Sequence, residues 1–166
     1  KQVWEWLNKV SPHYNYRAEN RIERALFALV NYATTNSLNI VSPSGILWLA
    51  HAVETLYDSP KESIYKTLEN RILLNLSIPD EKRRVAKRQI SEFYKARSNF
   101  AHGIFDVCMP NKHGPIHDEI IEHHKQVHPP SDIAMKIIIA TLQKLITNNC
   151  SILEFKEEIV ATKLPK

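Results

Sequence analysis

The chain has 166 residues, enough for one domain with a sizeable core, and its 43% hydrophobic and 24% charged residues are those of an ordinary globular protein. Three glycines are few for a sheet protein, which needs glycine at turns and bulges, so helices joined by short connections are expected. A net charge of +4 suits contact with phosphate backbones without requiring it, the apolar run Ile137-Ile138-Ile139-Ala140 is far below the roughly 20 residues of a membrane span, and two cysteines, Cys108 and Cys150, make no disulfide scaffold, which favours a cytoplasmic setting.

Taken in chain order, almost every segment has a helical period. The start at Lys1, without a leader-like stretch, reads as a piece of a longer protein. A short amphipathic helix is predicted from Gln2 to Val10, carrying Trp4 and Leu7, and a long one from Arg17 to Tyr32, with Ile22, Leu26, Leu29 and Val30 on one face. Ser42-Pro43 has the form of an N-cap with proline in the first turn, opening a helix to Tyr57 with Ile46, Leu49, Ala50, Val53 and Tyr57 inward. Ser59-Pro60 repeats that signal before the stripe Ile64, Leu68, Ile72 and Leu76, and Pro79-Asp80 opens a helix reaching Asn99.

From Gly103 to Ser131 the composition changes, with four of the nine prolines and two of the three glycines. This stretch, 103–131, is predicted as a loop or insert with one short helix between Asp118 and Gln126. Ser131-Asp132 then caps an apolar helix to Asn148, and a last short helix follows Ser151. The fold class is therefore all-α: one domain over 1–166, a bundle of about five principal helices with an irregular insert before the last long one.

The residues that break this pattern carry the functional question. At about 100° per residue, Arg97 falls within the apolar stripe formed by Ile90, Phe93 and Tyr94. A guanidinium turned towards a core is costly unless it is paired or lines a cleft. His102 follows at the helix end, just before Gly103, which suits a left-handed C-cap. Spacing alone leaves two readings for each: a buried ion pair and a carbonyl-bonded terminal histidine, or two groups meeting in one cleft if the last turn loosens. Arg71 and Glu54 are also inward charges, and a Glu54–Arg71 pair between neighbouring helices would satisfy both; the alternative is that Glu54 orients Arg97. Between Asp80 and Arg97 seven cations face three acids, and Arg84, Lys87, Arg88 and Lys95 make a basic face, either merely solvated or in contact with phosphates.

The stretch Arg97-Ser98-Asn99-Phe100-Ala101-His102 fits R-x4-6-H, and with Tyr94-Lys95-Ala96 before it and Gly103 after it the text resembles the Apea-like branch of the HEPN domain family. Ala52-Val53-Glu54-Thr55-Leu56-Tyr57 and Leu68-Glu69-Asn70-Arg71-Ile72-Leu73-Leu74 resemble it too, so the likeness covers roughly Ala25 to Gly103. It implies a helical bundle that dimerises, bringing two Arg–His motifs into one composite active site. Many members are metal-independent endoribonucleases of phage defence, abortive infection and toxin–antitoxin systems, needing no cofactor, whereas others serve as interaction domains. Many active members carry Asn, Asp or His directly after the arginine; here Ser98 stands there, with Asn99 one place later.

The chemistry suits those residue types. RNA carries its own nucleophile, the 2′-hydroxyl, and histidine, with an ordinary pKa of about 6.5, exchanges protons near neutrality. Arginine can hold a phosphate bidentately and stabilise the charge of the transition state. The partners implied are RNA, a second copy of the chain, and an N-terminal sensor domain or an antitoxin. Two alternatives stand beside this: a non-catalytic module that dimerises or binds RNA or a partner, and a zinc-binding domain using His113, His117, His123, His124 and His128 with Cys108.

Overall fold

The computed structural model describes residues 1–12, 16–36, 44–59, 64–107 and 118–156. Six helices and no strand occur among them: α1 (Gln2–Val10), α2 (Arg21–Asn36), α3 (Ser44–Leu56), α4 (Ile64–Asn75), α5 (Asp80–Ala101) and α6 (Asp118–Thr147). The all-α class is thus as expected, and α3 is its centre: it touches α2, α5 and α6, while α5 also meets α4 and α6. Its composition explains the position, because Ile46, Leu49, Ala50, Ala52, Val53 and Leu56 are buried on more than one side of the helix. The Ser42-Pro43 and Pro60 signals lie outside the described residues.

Local chemistry fixes the helix ends. α2 begins at Arg21 and not Arg17, because Asn20 and Glu23 form a capping box: the Glu23 amide donates to Asn20 Oδ1 (2.9 Å) and the Asn20 amide to Glu23 Oε2 (3.3 Å). Four helices then close with the same motif, in which a residue at positive φ lets two amides turn back onto the last carbonyls. Those residues are Asp58, Ser77, Gly103 and Asn149, with the paired bonds running from Asp58 and Ser59, Ser77 and Ile78, Gly103 and Ile104, and Asn149 and Cys150. A chain poor in glycine has used Asp, Ser and Asn for three of these four left-handed positions.

Several details depart from the sequence-based expectation. Trp6, not Trp4, is the tryptophan that enters the core from α1, donating from Nε1 to the Cys150 carbonyl (2.7 Å), while Trp4 is 70% exposed. Val30 is exposed, and Ala25 and Ala28 take the inward places on α2. The insert ends earlier than predicted, because α6 is one helix from Asp118 through Pro129 and Pro130 to Thr147. Two prolines each remove an amide donor and crowd the preceding turn, yet His123, Val127, Ser131, Ala134, Ile138, Thr141 and Leu145 form one buried stripe across them. Burial along about six helical turns outweighs the local break, and Ser131 does not cap a helix but donates back to the Val127 carbonyl (2.9 Å). Residues 151–156 are not helical; Leu153 and Phe155 pack against the core as a strap.

The strap and three helices meet at Tyr57, which is fully buried. Asn75 Nδ2 donates to its hydroxyl (3.1 Å), the hydroxyl and Thr141 Oγ1 lie 2.6 Å apart, and Thr141 donates to the Ile137 carbonyl (2.7 Å). Phe155 stacks on the Tyr57 ring at 6.0 Å.

Candidate functional site

Helix α5 buries Ile90, Phe93 and Ala96, and Arg97 stands at the rim of that stripe with about a third of its side chain exposed, 32%. Beside it opens a cleft of about 480 Å³ lined by Glu54 of α3, Tyr65 of α4, and Ser91, Tyr94, Lys95, Arg97 and Ser98 of α5. The i, i+3, i+4, i+7 spacing of Ser91, Tyr94, Lys95 and Ser98 explains why one helix supplies most of the wall.

Glu54 is the partner of Arg97: Nη2 lies 3.5 Å from Oε1. That is long beside the 2.7–2.9 Å of a strong charge-assisted bond, so the pair is loose. Three polar atoms here, Glu54 Oε1, Arg97 Nε and Tyr94 Oη, are shielded from solvent and have no hydrogen bond of ordinary geometry to the protein. Burial raises the Glu54 pKa, against the lowering effects of Arg97, His51 and Tyr94. Burial, then the Glu54 charge, pushes the Tyr94 phenol far above its usual range, so it stays protonated as a donor. The cleft therefore offers an arginine edge, a phenol, a lysine and two serine hydroxyls, a donor set suited to an anion.

The expected Glu54–Arg71 pair is corrected. Arg71 turns the other way, donating from Nη1 to the Tyr57 carbonyl (2.9 Å) and to the Asp58 carbonyl, with its guanidinium 4.9 Å above the Phe155 ring. It binds the last carbonyls after α3 and stacks on Phe155 of the strap. The alternative, Glu54 beside Arg97, is the arrangement found.

His102 is exposed and does not line the cleft. The last turn of α5 does not loosen: the His102 amide donates to the Ser98 carbonyl (3.0 Å), and Gly103 at φ +67° closes the helix with Ile104 bonded to Asn99 (2.8 Å). On a regular helix, five residues place His102 about 140° around the axis from Arg97. Within one chain the two groups therefore face different sides. Ser98 lines the cleft, and Asn99 contributes its carbonyl to the cap.

Of the proposed basic residues, Lys87 pairs with Glu69 (3.3 Å) and Arg88 weakly with Glu92 (3.8 Å). Arg84 and Lys95 are exposed and have no ion-pair partner among the described residues. Arg84, Arg88, Ser91, Lys95 and Ser98 fall within about 40° of one line along α5, a stripe that runs into the cleft. Sequence reasoning did not single out Tyr65 or Ser91; the spacing from Ser91 to Ser98 was the available signal.

Among the described residues no three His, Cys, Asp or Glu side chains are grouped to hold a metal ion. His124 and His128 lie with ring centres 5.0 Å apart, whereas Cys108, His113 and His117 lie outside the described residues. Cys150 carries a free, exposed thiol. No described helix is long and apolar enough to cross a membrane. No protein-family model matches the chain, and neither a curated protein nor a solved structure does.

Proposed function

We propose that this chain is a metal-independent endoribonuclease in which Arg97 grips the scissile phosphodiester and His102 moves protons. The observation that carries the reading is Arg97 itself: a guanidinium in an open cleft, loosely held by Glu54, with Nε unmatched by the protein. The R-x4-6-H resemblance supports it, as does the basic stripe leading along α5. Because Arg97 and His102 of one chain diverge, the active site is composite, with the histidine of one copy meeting the arginine of another in a homodimer. The 2′-hydroxyl attacks the phosphorus, His102 takes or returns a proton, and Arg97 stabilises the added negative charge. The products are a 2′,3′-cyclic phosphate and a 5′-hydroxyl. Such an enzyme would act in the cytoplasm, in phage defence or as a toxin, under an antitoxin or an N-terminal sensor.

The test is incubation with total RNA in EDTA, followed by sequencing of the cut ends. Arg97→Ala and His102→Ala should each lower cleavage by about 10² to 10³ while leaving the helical circular dichroism unchanged. Equal RNA decay by all three preparations would sink the proposal. The exposed His102, away from the cleft of its own chain, favours one second reading, a non-catalytic RNA- or partner-binding module. That reading expects RNA retention that weakens in Arg97→Ala without any cut ends.

A further inference from the structure

Between His102 and Val107 only Phe105 turns into the protein; its neighbours are exposed, Ile104 at 69%. The Phe105 ring is gripped edge-on from two sides. Phe100, at the end of α5, lies 6.4 Å away at 68°, and His123 of α6 lies 5.4 Å away at 79°. His123 is only 6% exposed, and the Asp106 backbone lies close enough to its ring to favour its charged form. A buried imidazole is costly without polar company, and here that company is the backbone of the turn that follows α5. One side chain thus holds that turn twice, by ring contact with Phe105 and by the polar contact with Asp106.

From this geometry we propose that His123 is a positioning residue for His102: it clasps the turn after α5 and so fixes the direction of the exposed imidazole. The proposal rests on the reading of His102 as the proton-moving group. Proton transfer tolerates little error in placement, since catalytic groups act at hydrogen-bond distance from the reacting atoms. The last turn of α5 fixes the backbone before His102, and the Gly103 cap followed by the Phe105–His123 clasp fixes it after. Without the clasp, the exposed segment is left to open by local fraying. RNA affinity would not change, because the clasp residues Phe100, Phe105 and His123 include neither Arg97 nor any residue of the basic stripe.

The clasp is also sensitive to pH. Among the described residues, the groups that act on His123 are the backbone of Asp106 in the turn and the imidazole of His124 on its own helix, with uncharged Phe105 between the elements. Burial is the largest influence and lowers the pKa of His123; contact with the Asp106 backbone opposes this, and His124 adds to it. A depressed pKa means that the stabilisation is complete above the unfolded value of about 6.5 and is lost as pH falls through the folded value. The turn therefore loosens in acid.

Amide hydrogen exchange on the whole chain tests this. In His123→Ala, exchange at Gly103 and Ile104 should quicken about tenfold while Ala52 and Val53 in α3 keep their rates. In RNA cleavage, kcat should fall about tenfold with KM within about twofold. His123→Phe keeps the ring wedge, so near neutrality it should restore protection towards the wild type, and its protection, corrected for intrinsic rates, should be flat between about pH 7.5 and 5. Unchanged protection of Gly103 and Ile104 in His123→Ala overturns the proposal. So does a folded His123→Phe that loosens in acid like the wild type, a comparison that decides the matter should the alanine variant unfold. Cleavage with unchanged kcat in a loosened His123→Ala overturns the positioning role. Loosening without RNA cleavage even by the wild type upholds the clasp and overturns the ribonuclease reading.

Discussion

Two polar clusters lie against the same central helix and are built on opposite plans. At the C-terminal end of α3, Tyr57 is fully buried, and its hydroxyl is bonded in series to Asn75 and Thr141, with Thr141 donating on to Ile137. Close by along that helix, Glu54 reaches Arg97 only at 3.5 Å, and Glu54 Oε1, Arg97 Nε and Tyr94 Oη lack ordinary hydrogen bonds to the protein. A satisfied network stiffens a core, while an unmatched one is stability forgone, about 1–3 kcal/mol for each stranded group. The contrast separates groups whose hydrogen bonds are completed within the chain from groups whose hydrogen bonds are not.

The largest expected effect breaks that contrast most directly. Arg97→Ala should lower RNA cleavage by about 10² to 10³, and because its ion pair is loose and partly exposed, it should change unfolding free energy by no more than about 1 kcal/mol. Tyr57→Phe should do the reverse. It strands the buried Asn75 amide and removes a partner from Thr141, for a loss of about 1–3 kcal/mol in urea unfolding, with cleavage by the folded protein unchanged. If Tyr57→Phe left stability intact, or if Arg97→Ala unfolded the domain, the division would be wrong.

Much of this was legible in the sequence, and the failures share a cause. The boundaries of α1 match the expectation at both ends, and Ile46, Leu49, Ala50, Val53 and Tyr57 are all buried as their spacing requires, because periodicity reports burial within one helix. The partner of Glu54 is Arg97 and not Arg71, which spacing does not reveal, since which helices neighbour one another is a property of the bundle and not of any single segment. The helix runs through Pro129-Pro130 for the same reason: local propensity marks a break, but the buried stripe from His123 to Leu145 overrides it. The Asn20–Glu23 capping box is legible in the sequence and starts α2 four residues after the Arg17 that periodicity alone suggests. Arg97 was recognised as an arginine at the apolar stripe, but its separation from His102 followed only once the last turn proved regular.

A smaller effect sharpens the difference between the clusters through pH. Burial raises the Glu54 pKa more than Arg97, His51 and Tyr94 lower it. A raised folded pKa gives a stabilisation that is complete below the unfolded value of about 4.3 and is lost as pH rises through the folded value. Glu54→Gln removes that loss, so its stability relative to the wild type should increase from about pH 4 to 7. Urea midpoints at the two ends measure it. A relative stability that fell with pH would mean that the ion pair with Arg97 dominates, and the cleft would then resemble the Tyr57 cluster.

The smallest effect compares the caps that serve the two clusters. Ser77, at φ +50°, closes α4 beside Asn75, and Gly103, at φ +67°, closes α5 beside His102. The left-handed conformation costs a residue with a Cβ about 1–2 kcal/mol, partly offset by the greater freedom of glycine in the unfolded chain, about 0.5–1 kcal/mol. Ser77→Gly should therefore stabilise, and Gly103→Ala destabilise, each by roughly 0.5–1 kcal/mol. A Cβ at Gly103 meets nothing within 4 Å, so that loss would be backbone strain alone and not a clash. Because the strain falls on the turn that carries His102, Gly103→Ala should also lower kcat, whereas Ser77→Gly should leave it alone. Equal kinetics in the two variants, with the stability changes as expected, would show that the geometry of that turn does not limit the reaction.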